Sequence, residues 1–301
     1  GEAGIFYPLN LPFLIPADFL DVYNIVVLLL IGVAGLTFYW WIRRIGAGPL
    51  AGLLAAAAFQ WSAPVNFGKA NMNIMEAFIL APLLMLLIEP AMGGEKKFDR
   101  PLARMAGVGI VLAMMLFAGQ SQYVVYSVLF AIIYTILRAI FSGRNSWITS
   151  LIAMGGPLLG GIVLGAGLAA VQLLPTMELI PLSERASAAI REGFHTQGLW
   201  LTPSRLFATF IFPTFHNRIE HFLPWLMTPV YVGPVAILLA GYTLRSCGRL
   251  RNPVIIPLLI TALIFLWLSM GSNTPVAREI TPWEFFAQFR HHGRMGGYFV
   301  M

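Results

Sequence analysis

Residues 171–186, VQLLPTMELIPLSERA, leave a hydrophobic run and close on Glu178, Ser183, Glu184 and Arg185. A carboxylate there can take a proton from a hydroxyl, and a guanidinium can grip a phosphate through paired, charge-assisted hydrogen bonds. Glu178 and Arg185 lie seven positions apart, so a continuing helix would carry both on one face, two turns apart. Ser183 and Glu184 equally fit an N-cap and first-turn acid for the following SERASAAIREG. Glu178 does not stand at a capping position, which keeps it as a candidate acid.

Four further groups could do chemistry. In NFGKANMNIME, residues 66–76, Lys69, Asn71, Asn73 and Glu76 surround the start of a hydrophobic run. Glu76 falls one turn inside it, where an ionisable group is costly unless it meets a partner or a watered cavity. The bland reading is a capped loop with a snorkelling lysine. GQSQ, residues 119–122, brings Gln120 and Gln122 close together, as sugar hydroxyls or a tight interhelical turn would both require. FPTFHNRIEHFLPW contains His216, Arg218, Glu220 and His221. The spacing of five positions between His216 and His221 does not match a helical metal pair, leaving hydroxyl or phosphate contacts against a structural role. FAQFRHHGRM, residues 286–295, is a basic patch of Arg290, His291, His292 and Arg294, suited to an anionic lipid head group or to flanking a further span.

The elements that must position these groups are membrane helices. The 301-residue chain is 58% hydrophobic and 11% charged, far from the roughly 25% charged residues of a soluble domain. Its mean hydropathy is +0.78. Runs near 22–42, 48–65, 72–90, 105–119, 123–141, 148–174, 225–244 and 253–271 predict an all-α polytopic bundle of about eight transmembrane helices. Asp18 and Asp21 are expected to cap the first. The sixth run has small residues at Gly156 and Gly160 and again at Gly161 and Gly165, predicting close packing at the centre of the bundle. The whole chain reads as a single transmembrane domain, with 175–224 an outward loop holding short helices.

Charge sets the expected orientation. Arg43, Arg44, Lys96, Lys97, Arg100, Arg104, Arg138, Arg144, Arg245, Arg249 and Arg251, eleven of the nineteen basic residues, sit in or beside the loops of one side. The short loops opposite hold only Lys69. Basic short loops stay cytoplasmic, so the start of the chain, the 175–224 loop and the 272–301 tail are expected outside. The net charge of +6 therefore speaks of topology and not of nucleic acid. Cys247 alone cannot form an internal disulfide, and no Cys/His spacing for zinc, phosphate-binding loop or serine-hydrolase elbow occurs. An acidic site could hold a divalent ion, but the sequence offers no ligand set and identifies no cofactor. The chain opens GEAGIFYPLN without a signal peptide and stops at GGYFVM, which leads us to expect an interior piece of a longer protein.

Taken together, GIFYPLNLPF at 4–13, AGQSQYVVYSVL at 118–129, LAAVQLLPTMELIPLSER at 168–185, FLPWLMTPVYVGPVAILLA at 222–240, LSMGSNTPV at 268–276 and FRHHGRM at 289–295 resemble the YfhO-type family of bacterial membrane proteins. That family is similar to the GT-C class of polytopic glycosyltransferases. The resemblance implies a bacterial cytoplasmic membrane protein that moves sugar from a polyprenyl-phosphate donor to a cell-envelope acceptor on the outer face, among membrane lipid. It also implies that one span and a loop carrying the usual catalytic carboxylate precede residue 1. The chain departs from the family pattern at Gln120, where a histidine is usual, and at His291 and His292, where a proline is usual. A role needing an imidazole at 120 is therefore not carried over.

On this reading Glu178 and Glu76 are the candidate acids. Arg185, Arg290 and Arg294 are the phosphate contacts, and Gln120, Gln122, Gln172, Lys69, Asn71, His216 and His221 the other substrate contacts. Two other function classes stay open: a lipid or glycolipid flippase, which would need ionisable groups inside the bilayer and broken helices, and a non-catalytic assembly protein.

Overall fold

The computed structural model describes residues 6–68, 72–90, 100–142, 146–179 and 253–270, together with Leu238, Gly241, Met295, Tyr298 and Met301. Every regular element among the described residues is helical. A 3-10 helix, Pro8–Leu14, leads into α1 (Phe19–Arg44), followed by α2 (Pro49–Gln60), α3 (Ala63–Gly68), α4 (Met72–Phe78) and α5 (Ala81–Ile88). Then come α6 (Pro101–Phe117), α7 (Ser121–Ile140), α8 (Trp147–Leu168), α9 (Ala170–Leu179) and α10 (Ile255–Ser269). The expected run 225–244 lies outside the described residues, apart from Leu238 and Gly241.

Local chemistry accounts for the ends. The Asp18 side chain accepts the Leu20 N–H at 2.8 Å and Asp21 sits in the first turn of α1, while Arg43 and Arg44 close its last turn. Acids at the start and cations at the finish both complement the helix dipole. Proline opens α2 and α6, where its missing N–H has no helical partner to lose. Gly119, with φ of 84°, turns α6 into α7 in a conformation that a side chain would oppose.

α1, α7 and α8, with 26, 20 and 22 residues, have the length and hydropathy to cross a bilayer. Leu28, Leu29 and Leu36 on α1, Leu53 on α2, Ile110 on α6 and Leu159 and Val163 on α8 all project outward. Such a continuous apolar exterior is unfavourable in water and expected in hydrocarbon. The fold is an all-α membrane bundle.

Three expected spans are interrupted. In 48–65 the helix breaks at Trp61 and Ser62, where Ser62 Oγ donates to the Phe59 carbonyl at 2.6 Å and Asn66 Nδ2 to those of Gln60 and Ser62. These side chains compete for carbonyls that the helix would otherwise use. In 72–90, α4 gives way to α5 at Ile79 and Leu80 because Pro82 has no N–H to offer the Phe78 carbonyl. The 148–174 run divides at Ala169 into α8 and α9.

The glycine-rich α8 packs chiefly on α6. It is not central as expected: 28% of its most apolar stretch is buried, against 56% for α7. Its close-packed face is Gly160, Gly161 and Gly165; a Cβ on Gly165 would stand 2.9 Å from the Gly109 carbonyl oxygen, while Gly156 has nothing within 4 Å. Gly165→Ala is expected to destabilise the protein by about 1 to 3 kcal/mol through overpacking against backbone, and Gly156→Ala to be neutral. Unfolding both variants in mixed micelles checks the pair, and equal behaviour would refute this packing.

The core is a run of aromatic rings across α1, α2, α4, α7 and α10. Phe38 stacks on Phe59 at 4.5 Å, Phe59 meets Phe78, Phe78 meets Tyr298 edge-on at 5.4 Å, and Phe130 meets Phe265. α1 and the α4–α5 pair run in the same direction, so Arg44 and Glu89 finish at one end of the bundle. The starts of α4 and α7 and the last turn of α6 lie at the other.

Candidate functional site

At the end where α4 begins, the helix carries Glu76 one turn in, and every residue from Ile74 to Phe78 is buried. α4 packs on α3, α6 and α7, so Glu76 faces protein and not lipid. Its exposure is 0%, and neither carboxylate oxygen has a hydrogen-bond partner among the described residues. Tyr7, held just ahead of the 3-10 helix where Asn10 N–H bonds its carbonyl at 3.0 Å, is also fully buried. Its hydroxyl likewise has no partner among the described residues. Burial first, and then the nearby Glu76 charge, hold the Tyr7 phenol above its usual range, so it remains a neutral donor.

The amides gather at the same end. Gln120 is buried at the Gly119 turn. Gln122 is buried too and donates through Nε2 to the Tyr126 hydroxyl at 2.7 Å. Gln172, on α9, donates through Nε2 to the Leu116 carbonyl at 3.0 Å and so ties α9 to the last turn of α6. Its Oε1 is buried without a partner among the described residues. Tyr298 also reaches this end, donating to the Tyr123 carbonyl at 2.9 Å and accepting from Ser127 Oγ at 2.8 Å. The GQSQ segment makes the interhelical turn, and both of its amides are buried there.

Glu178 is brought to a different setting, on the exposed side of α9, which packs only on α6 and α8 among the better-packed pairs. Lys69, Asn71, Arg185, His216, His221, Arg290 and Arg294 lie outside the described residues. Among the described residues, no three His, Cys, Asp or Glu side chains group as metal ligands.

A second cluster escaped the reading of the sequence. At the opposite end Glu89 is fully buried. Tyr134 donates its hydroxyl to Oε2 at 2.9 Å, and Arg138 Nε lies 3.5 Å from Oε1. Arg44 Nε donates to the Glu89 carbonyl at 3.2 Å. Arg104 donates to the carbonyls of Leu87 and Ile88, satisfying the end of α5. Arginines that alone report topology here also clamp four helices around one carboxylate. The available signal was Glu89 itself, an acid ending a span on the arginine-rich side.

Set against models of known families, residues 4–274 match the one described as bacterial membrane protein YfhO. No curated protein and no solved structure matches the chain.

Proposed function

The chain belongs to the YfhO family of bacterial membrane proteins, and on that footing we propose that it transfers a sugar from a polyprenyl-phosphate-linked donor to a cell-envelope acceptor. The reaction runs at the outer face of the cytoplasmic membrane. The observation that carries this reading is Glu76: a buried carboxyl whose two oxygens have no partner among the described residues, at the end of the bundle that also holds Gln120, Gln122 and Gln172. An unsatisfied buried acid costs stability and persists where a ligand or reaction uses it. The proposed outward orientation of this end is supported by Arg44, Arg104 and Arg138 at the far end, since clustered arginine favours the cytoplasmic side.

In the proposed step the acceptor hydroxyl oxygen attacks the anomeric carbon. The bond from that carbon to the phosphate oxygen breaks, its electrons leave with the lipid phosphate, and the hydroxyl proton passes to a carboxylate. Of the two candidate acids, Glu76 suits that proton better than the exposed Glu178, because a dry, protein-enclosed site strengthens its pull. Arg185, Arg290 and Arg294 are proposed to steady the departing phosphate. Gln120, Gln122, Gln172, Lys69, Asn71, His216 and His221 are proposed to hold sugar and acceptor. A divalent ion bound by outer-loop acids would assist the phosphate, and EDTA added to the assay tests for it.

The test uses full-length protein in vesicles with radiolabelled polyprenyl-phosphate hexoses and envelope extract. Label should move to a water-soluble or acceptor product. A second reading, a lipid flippase, draws on the α4–α5 discontinuity with a buried acid at each end, Glu76 and Glu89. Transbilayer movement of the labelled lipid with no transfer would replace the first reading with the second.

A further inference from the structure

Glu76 and the GQSQ amides stand on elements that cannot hold their own orientation. α4 has seven residues and breaks from α5 at Ile79 and Leu80, and α7 starts from the positive-φ turn at Gly119. So short a helix is marginal alone, and its setting comes from tertiary contacts. Tyr298 makes such contacts to both elements. Its ring meets Phe78, two residues beyond Glu76, edge-on at 5.4 Å between centres. On α7 its ring centre lies 6.4 Å from those of Tyr123 and Tyr126, and the Tyr126 hydroxyl receives Gln122 Nε2 at 2.7 Å. The Tyr298 hydroxyl donates to the Tyr123 carbonyl at 2.9 Å and accepts from Ser127 Oγ at 2.8 Å, which ties together the first two turns of α7. Tyr298 is fully buried, with the rings of Phe130 and Phe265 also against it. Phenylalanine would fill that place without carrying a hydroxyl into apolar surroundings. No local pattern announces the arrangement, because Ser127 and Tyr298 are 171 positions apart.

We infer that Tyr298 is a positioning residue: it fixes the first two turns of α7, with Gln122, against the end of α4 that carries Glu76. It acts through the two helices it joins and not on the substrate. Its effect on the reaction rests on the transfer reading above; the joining of α4 to α7 does not.

The test uses full-length protein in vesicles, with radiolabelled polyprenyl-phosphate hexoses as the probe. Tyr298→Phe keeps the rings packed and removes the hydroxyl. It should lower kcat about tenfold with the donor KM changed less than about threefold, because misplaced groups slow a reaction more than they weaken binding. In a Glu76→Gln background the same change should cost less than about threefold, since the acid whose placement matters is already gone. Gly165→Ala, which loosens the packing of α8 on α6, should leave kcat per folded protein unchanged. Amide exchange of residues 72–78 and 121–127, followed by mass spectrometry, should quicken about tenfold in Tyr298→Phe and stay as in wild type over residues 105–113. An equal loss of rate in both backgrounds would reduce Tyr298 to general support of the fold and overturn the inference. Unchanged kcat in a protein that transfers sugar, or unchanged exchange in either segment, would overturn it as well. If wild type transfers no hexose, the transfer reading falls, and quickened exchange in both segments upholds the joining of α4 to α7 on its own.

Discussion

Glu76→Gln is expected to lower the rate of sugar transfer by about 100-fold or more while leaving the fold intact. The magnitude is what removal of a general base ordinarily costs, about 10² to 10⁴ in rate. The intact fold follows from the geometry. Both Glu76 oxygens lack hydrogen-bond partners among the described residues, so an isosteric amide deletes no contact that holds α4 in place. A glutamate retained for stability predicts the reverse, with Tm falling and transfer following only as protein is lost. Initial rates at saturating donor, set beside thermal denaturation of the same preparation, separate the two. Transfer by Glu76→Gln at the wild-type rate would remove the residue from the reaction.

At the other end of the bundle the expectation inverts. Glu89→Ala should destabilise the protein by about 3 to 5 kcal/mol, because it leaves the Arg138 guanidinium buried beside an empty place where its countercharge stood. It also strands the Tyr134 hydroxyl, which donates to Glu89 Oε2 at 2.9 Å. Arg138→Leu should cost a similar amount by stranding Glu89. The double variant Glu89→Ala with Arg138→Leu should be less unstable than the sum of the two, since each change removes the other's uncompensated charge. Reversible unfolding in mixed micelles gives all three values. Strict additivity would show that Glu89 and Arg138 do not act as a pair, whatever their separation.

These two acids also mark what could and could not be read from the sequence. Hydropathy runs, the sorting of basic residues, the Asp18 cap and the turn at Gly119 are local or averaged properties, and each is visible in a short window of residues. Glu76 was readable as well, as an acid one turn inside an apolar run. Glu89 was not, because its meaning comes from Arg44, Arg104 and Arg138, which are brought to it by three other helices. Beside Pro90 it reads only as the end of a span. Tyr7 was hidden for a related reason: its burial is not announced by its neighbours in sequence, which include the exposed Phe6 and Leu11. The interruptions at Ser62 and Pro82 carry ordinary local signals, yet a window long enough to detect a span averages them away. The glycines of α8 announced a close contact correctly, but spacing alone could not say that the contact lies on one side of a flanking helix.

All of the chemistry proposed here depends on which way the bundle faces, and one labelling experiment decides that. In a Cys247→Ser background, which leaves no other thiol within residues 1–301, Ser121→Cys places a cysteine at the exposed start of α7, and Ser142→Cys places one just beyond its far end. A membrane-impermeant maleimide added to intact cells or spheroplasts should modify Ser121→Cys at once and Ser142→Cys only after permeabilisation. Labelling of Ser142→Cys alone from outside would put Glu76, Tyr7 and the glutamines in the cytoplasmic half and contradict an outward-facing transfer site.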